Sequence, residues 1–390
     1  MRKIKIYLDH KDYIRITRGL LGDKNCKEDV ETYKTLLNFV ENDKVIIYFS
    51  WVHFCEALKY KGQQADVLNT YCEVVDSLTK GNCIIFPYEL QKREIELYLS
   101  KEFNFETEIP TKEYPYGKYM EALVSEPLEP ISILQIIKDD IAKSVMDRKY
   151  KKYILKRLNN PKTRKRIFKK VPLDCFQGLK EIFPSLYSKE KIVELIDNPD
   201  IFAKAFKDSV TFQNMIMRYN NQFPQLRQIA TFFEEDEKLL VQLIRNAQRL
   251  HTVIGKSPIN ENKIVDGYIK KLVNSLEQEI KILSEKHQFS ESHAKEKLID
   301  SELDEIPSMR VRTIAFSEYL QKNKGSVEHS RNPNESDLRD LHHIINLPYV
   351  DFYMTDKFFT NIAKKCAASF NTTVVHNVDQ LRDRLQTLSL

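Results

Sequence analysis

Short apolar strand segments alternate with amphipathic helices at the two ends of this chain and are missing from its middle, and this distribution restricts the fold more than any other feature. KIKIYL at 3–8 alternates charged and apolar residues and ends in Asp9, the pattern of a strand turning into a loop. Residues 28–42 carry Val30, Tyr33, Leu36, Leu37 and Val40 at helical spacing. KVIIYF at 44–49 is a second strand, and Ser50 follows it as the N-cap of the helix WVHFCEALKY. A helix over 65–80, a strand over 83–86 and a break at Pro87 complete the first end. The other end runs through a helix at 337–346 stopped by Pro348, a strand at 350–354, a helix at 357–369, a strand at 372–375 and a final helix. Strands alternating with helices predict a parallel sheet flanked by helices.

Between these ends the patterns are helical, at 192–195, 232–251, 264–289 and 309–321, and the polar stretch 323–336 reads as a linker. The expected organisation is therefore one α/β domain split by a large all-helical insertion, with the core in 1–90 and 330–390 and the insertion in 91–329. A chain of 390 residues exceeds what one hydrophobic core usually supports, which agrees with two structural units. Nine Gly, fourteen Pro and 42% hydrophobic residues describe a globular, helix-rich protein. The six cysteines stand singly without a CxxC pair, so they are read as reduced, mostly buried thiols. No apolar run reaches the roughly 20 residues of a membrane span, and a cytoplasmic location is expected.

Four acids occupy unusual places. Asp9 ends the first strand, Glu56 lies inside the apolar helix WVHFCEAL, Asp340 opens a helix, and Asp356 follows the strand VDFYMT. In a parallel α/β sheet the carboxyl ends of the strands and the starts of the next helices share one edge, where ligands bind. Carboxylates gathered there repel one another unless a cation is present. Oxygen-only donors suit hard ions, and Mg²⁺ or Mn²⁺ held this way activates a water and neutralises charge in phosphodiester displacement. Singly, Asp9 and Asp340 have ordinary uses as turn or helix caps. It is their joint position that favours metal.

The order of Leu8-Asp9-His10, Ser50 with Glu56, Asp340 with His343, and Thr355-Asp356-Lys357-Phe358-Phe359 resembles the PIN domain, most specifically across SDLRDLHHIINLPYVDFYMTDKFF. The resemblance covers roughly 1–90 and 330–390. It implies a metal-dependent endonuclease, most often an endoribonuclease on single-stranded RNA and sometimes a DNase, with Mg²⁺ or Mn²⁺ as cofactor. By that pattern Asp9, Glu56, Asp340 and Asp356 are the catalytic, metal-binding acids. Asp337 is a fifth, or the third acid in place of Asp340, and Ser50 and Thr355 accompany them.

Net charge is only +5, yet residues 148–170 hold twelve Lys or Arg and no acid. Lys151, Lys152, Arg157, Arg164, Lys165 and Arg166 are expected to meet phosphates, and Tyr150 and Tyr153 to stack on unpaired bases, with a solvated helix face as the plainer reading. His10, His342 and His343 are read as packing residues, and Asp351 as a salt-bridge partner at a strand start. Two further functions stay in view: a non-catalytic module on a PIN scaffold that holds RNA or a protein through the insertion, and, more distantly, a phosphatase-like enzyme. The latter is disfavoured because no Gly-rich phosphate loop is present.

Overall fold

The computed structural model describes residues 2–58, 65–110, 112–118, 147–158, 276–300, 306–323 and 336–387, with isolated positions between these stretches. Strand β1 (Ile4–Tyr7) leads to helices α1 (His10–Leu20) and α2 (Lys27–Glu41), then to β2 (Val45–Tyr48), α3 (Trp51–Leu58) and α4 (Ala65–Thr79). Next come β3 (Asn82–Ile84), α5 (Pro87–Glu102) and β4 (Tyr116–Lys118). Helices α6 (Arg148–Leu158), α7 (Glu277–His287), α8 (Glu291–Asp300) and α9 (Pro307–Asn323) follow. The chain closes with α10 (Asp337–Ile344), β5 (Phe352–Met354), α11 (Thr360–Ala367), β6 (Thr373–Val375) and α12 (Val378–Thr387).

The centre is a four-stranded parallel sheet in the order β2-β1-β5-β6, flanked by helices. Registers pair Tyr7 with Tyr48 on one side and with Tyr353 on the other, so both ends of the sequence meet on the central strand. A parallel strand covered on both faces needs apolar residues throughout, and Ile6, Tyr7, Phe352, Tyr353 and Met354 are all buried. The rings of Tyr7 and Tyr353 stack across that pairing, with centroids 5.4 Å apart and planes 9° from parallel. At the far end of α1, a Cβ on Gly19 would come within 2.5 Å of the Cys26 carbonyl oxygen and a Val30 methyl, so only glycine lets the start of α2 come this close.

Most elements fall within a few residues of where periodicity sets them. Two expectations fail. The stretch after residue 90 is not strandless: Tyr116–Lys118 pairs antiparallel with β3, which is itself tied to the end of β2 through the Phe49–Cys83 bridge. Three residues are too few to display a period, which is why the pattern escaped. Pro87 begins a helix instead of breaking the chain, since at the first helical position its missing N–H costs nothing.

Packing also crosses the expected borders of the insertion. Val311, Ala315 and Tyr319 of α9 share one buried cluster with Tyr7, Ile344, Tyr353, Phe359 and Ile362. A second cluster joins Ile95 and Leu99 of α5 to Ile280 of α7, Leu298 of α8 and Met309 at the start of α9. Each such Ile or Leu, fully buried, contributes about 1.5–3 kcal/mol relative to exposure. The helical patterns at 192–195 and most of 232–251 lie outside the described residues. The described cysteines, Cys26, Cys55, Cys72, Cys83 and Cys366, are buried. Cys175 lies outside the described residues. No described helix is long and apolar enough to cross a membrane. Asp351 is the strand-start partner expected of it, bound by Arg2 at 2.7 Å and by the Lys5 N–H at 2.8 Å.

Glu94 of α5 stands where the two clusters join. Its carboxylate accepts hydrogen bonds from the Ser308 N–H and hydroxyl, from the Tyr349 hydroxyl and from the Tyr114 hydroxyl at 3.1 Å. Burial pushes its pKa up from 4.5 to about 7, although these donors pull the other way. Between those two values the folded chain holds a proton that the unfolded chain has released, so stability falls as pH rises through the window. Asp12, raised by burial and by Asp9 to about 8, adds a decline of the same sign. Urea denaturation from pH 4.5 to 8 should therefore show a shallower fall for Glu94→Gln than for the wild-type chain below pH 7. Identical slopes would mean that Glu94 is not the titrating group.

Candidate functional site

The connection from β1 runs toward β2 while that from β5 runs toward β6, so the carboxyl ends of β1 and β5 flank the point where the winding direction reverses. Ligands of open parallel sheets bind at such points. Asp9 lies two residues beyond β1 and Asp356 two beyond β5. Glu56 projects from α3, which starts directly after β2, and Asp340 lies in the first turn of α10, which packs against α3.

Each acid has a local reason for its position. Asp9 caps α1, accepting the Lys11 N–H at 3.1 Å, and Asp12 in turn accepts the Asp9 N–H at 3.1 Å. Lys11 also brings its ammonium to 3.2 Å from Asp9. Asp356 accepts the Phe359 N–H at 2.7 Å at the turn entering α11. Asp337 is enclosed, taking the Tyr319 hydroxyl at 2.7 Å and the Asn334 N–H at 3.0 Å, and so joins α9 to α10. Glu56 is the only residue from Trp51 to Ala57 of α3 that is not buried; its side chain keeps 15% of its exposure.

Asp340 is the group on which the charges of the other acids act. Its carboxyl is held well above the usual carboxylate range, first by burial and then by Asp9, Glu56, Asp356 and Asp337 in that order. Residues from both ends of the sequence thus act on one group. The Tyr353 hydroxyl is fully buried and has no hydrogen-bond partner among the described residues, and its pKa is raised by burial first and then by Tyr7, Asp9 and Asp340. Among the described residues, however, no three His, Cys, Asp or Glu side chains are close enough to ligate one metal ion as they stand. The oxygen donors suit a hard divalent cation chemically. Holding one would require Asp9 to release Lys11 and Glu56 to share its imidazole partner.

That partner belongs to a buried network read only as packing from the sequence. His343 Nε2 lies 3.0 Å from Glu56 Oε2, and its Nδ1 lies 2.6 Å from the Tyr7 hydroxyl. Tyr7 also meets Ser50 Oγ at 2.6 Å and accepts from the Asn346 side-chain amide at 3.1 Å. Ser50 Oγ reaches His53 Nδ1 at 3.0 Å, and His53 Nε2 donates to the Leu8 carbonyl at 2.9 Å. That last bond fixes the tautomer of His53, so its Nδ1 accepts, here from the Ser50 N–H at 3.0 Å. Burial, helped by His343 and His10, drives the His53 pKa well below the ordinary value. For Glu56 burial pushes the other way, but His343 and His10 overcome it and bring the carboxyl down to about 2. His10, buried beside Glu56 at 4.0 Å, also meets the Tyr71 hydroxyl at 3.1 Å.

Ser50 therefore serves as a junction in this wire as well as standing at the head of α3. Thr355 is buried, with its N–H on the Val375 carbonyl at 3.2 Å. His53 and Tyr7 were missed as site residues; the signal available was an imidazole three residues before Glu56 and three after Ser50 on a helix otherwise apolar. Of the basic residues, Lys151, Lys152 and Arg157 lie on α6 with Tyr150 and Tyr153, and Arg166 is exposed. Arg164 and Lys165 lie outside the described residues. Compared with known proteins, the chain matches no family model, no curated protein and no solved structure.

The Tyr7 hydroxyl is the hub of the wire, so Tyr7→Phe should leave Ser50, His343 and Asn346 short of a partner in the interior. The cost should be about 1–3 kcal/mol in chemical denaturation. A change below about 0.5 kcal/mol would mean that the network contributes nothing to the fold.

Proposed function

We propose that this chain is a metal-dependent endonuclease of the PIN type, acting on single-stranded RNA in the first place and DNA in the second, with Asp9, Glu56, Asp340 and Asp356 as its metal-binding acids. The observation that carries the reading is topological: Asp9 and Asp356 each follow, by two residues, the adjacent strands β1 and β5 at the reversal point, and the Asp340 carboxyl is raised by burial first and then by Asp9, Glu56 and Asp356. Like charges gathered at the reversal point of a parallel sheet destabilise a fold without a cation, which makes a structural purpose the poorer explanation. Bound Mg²⁺ or Mn²⁺ would supply an activated water and neutralise charge on the phosphodiester. Asp9 and Asp356, each two residues beyond one of two adjacent strands, would flank the reacting phosphate, and Glu56 is kept ionised by His343 and His10. Asp337, tied to Tyr319 and Asn334, is better suited to holding α10 in place than to ligation.

A second reading is a non-catalytic scaffold that binds RNA, or a protein, through its helical part; it is favoured by the lack, among the described residues, of three side chains already arranged around one ion. Cleavage of labelled RNA in Mn²⁺ or Mg²⁺ separates the two. Asp9→Asn and Asp356→Asn should each lower the rate more than about a hundredfold. Unchanged cleavage by clean preparations of both variants would rule the metal assignment out.

The charge argument yields a test independent of substrate. Asp340→Asn should stabilise the chain by about 0.5–2 kcal/mol at pH 8 in EDTA, because it removes a carboxylate that folding holds against its neighbours. In excess Mn²⁺ the order should reverse, the wild-type chain gaining about 2.7 kcal/mol at a hundredfold excess over Kd. Thermal melts with no cation-dependent gain in the wild-type chain would contradict the metal site.

A further inference from the structure

Helix α6 is built against its own stability. It carries six cations and no acid in eleven residues. Arg148 and Lys149 sit at its N-terminus, where the dipole disfavours positive charge. Arg148 with Lys152, and Lys152 with Lys156, repel at i,i+4 spacing. What allows the helix to form is Asp147, whose carboxylate accepts the Lys149 and Tyr150 N–H groups at 2.8 and 3.2 Å, together with the inward burial of Ile154 and Leu158. A segment that violates local rules in this way marks a binding surface.

The outward face explains what is bound. Tyr150 and Tyr153 are 45% and 46% exposed, two of only five large hydrophobic side chains so exposed among the described residues. Their rings lie 13° from parallel with centroids 6.4 Å apart, and the Arg157 guanidinium covers Tyr153 at 4.6 Å. Stacking a planar base between two rings needs about twice the ~3.4 Å rise of a nucleic-acid stack. The centroid separation of 6.4 Å is an upper bound on the gap between the planes, so these exposed side chains swing outward to admit a base.

We infer that Tyr150 and Tyr153 form a slot for one unpaired base of single-stranded nucleic acid, with Arg157 backing Tyr153 and Arg148, Lys149, Lys152 and Lys156 meeting the flanking phosphates. Duplex bases have both faces covered by neighbours and do not enter such a slot, whereas the π-face of any unpaired base fits it without sequence preference. The density of cations without an intervening acid matches a polyanion. The inference deepens the nuclease reading by giving its substrate a base-holding site, yet it can be tested where no cleavage occurs.

The test uses the full chain in EDTA with a fluorescein-labelled single-stranded 12-mer carrying a central 2-aminopurine, in RNA and DNA versions. Anisotropy reports affinity and 2-aminopurine quenching reports stacking. Tyr150→Leu and Tyr153→Leu should each weaken binding about tenfold and abolish the quenching, and the double variant should be little weaker than either, because one base loses the same sandwich. Phe at either position should retain both signals. Lys152→Ala should keep the quenching and lower the salt-dependence slope by about 0.7. The RNA and DNA arms tell which backbone the helix prefers. Leu variants that bind within twofold of wild type, duplex that competes as well as single strand, or polyglutamate that displaces the oligonucleotide equally would each overturn the slot. Loss of cleavage in Asp356→Asn with binding intact would leave the slot standing while testing the metal site separately.

Discussion

The pairing of β1 with β5 is the interaction on which the rest of the molecule depends. Two register pairs, Ile6 with Phe352 and Tyr7 with Tyr353, bring together stretches that stand at opposite ends of the sequence. Closing so long a loop costs entropy that local helices never meet. It is offset by burying Ile6, Tyr7 and Tyr353 completely and by the ring stacking across the seam. Once that pairing exists, the turns after β1 and β5 are neighbours, and every candidate site acid is set by a short connection from one of these strands or from a helix packed on them.

A second constraint is electrostatic. The sheet edge collects carboxylates, and the wall behind it collects imidazoles and hydroxyls that are nearly all hydrogen-bonded. Glu56 and Asp340 respond to this environment in opposite directions, the first held ionised by His343 and His10, the second pushed toward its protonated form. Burial raises both carboxyls; at Glu56 the imidazoles of His343 and His10 overcome it, whereas at Asp340 the neighbouring acids add to it. Such divergence is common where groups have distinct tasks in one site.

How much of this was legible in the sequence follows from the range of the forces involved. Strands and helices at the two ends declare themselves through period, and the acids at strand ends stand out because elsewhere such positions are apolar. The hydrogen-bond wire was not legible: Tyr7 looks like any buried strand residue and His53 like a core histidine, and only the fold brings His343 to Tyr7 across 336 residues. The helical pattern at 309–321 falls in the expected insertion because that stretch shows helical spacing and no strand, whereas the packing of α9 with Tyr7 and Phe359 is a long-range property that no local window contains. β4 is too short to announce itself.

The central position of β1 has a consequence for synthesis. Tyr7 leaves the ribosome 336 residues before His343, a wait of roughly 17–67 s at about 5–20 residues per second. Throughout that interval the first strand lacks one of its two neighbours and the acid edge lacks half its members. This edge is therefore completed only when almost all of the chain has been translated, and a product truncated before β5 carries Asp9 and Glu56 without Asp356.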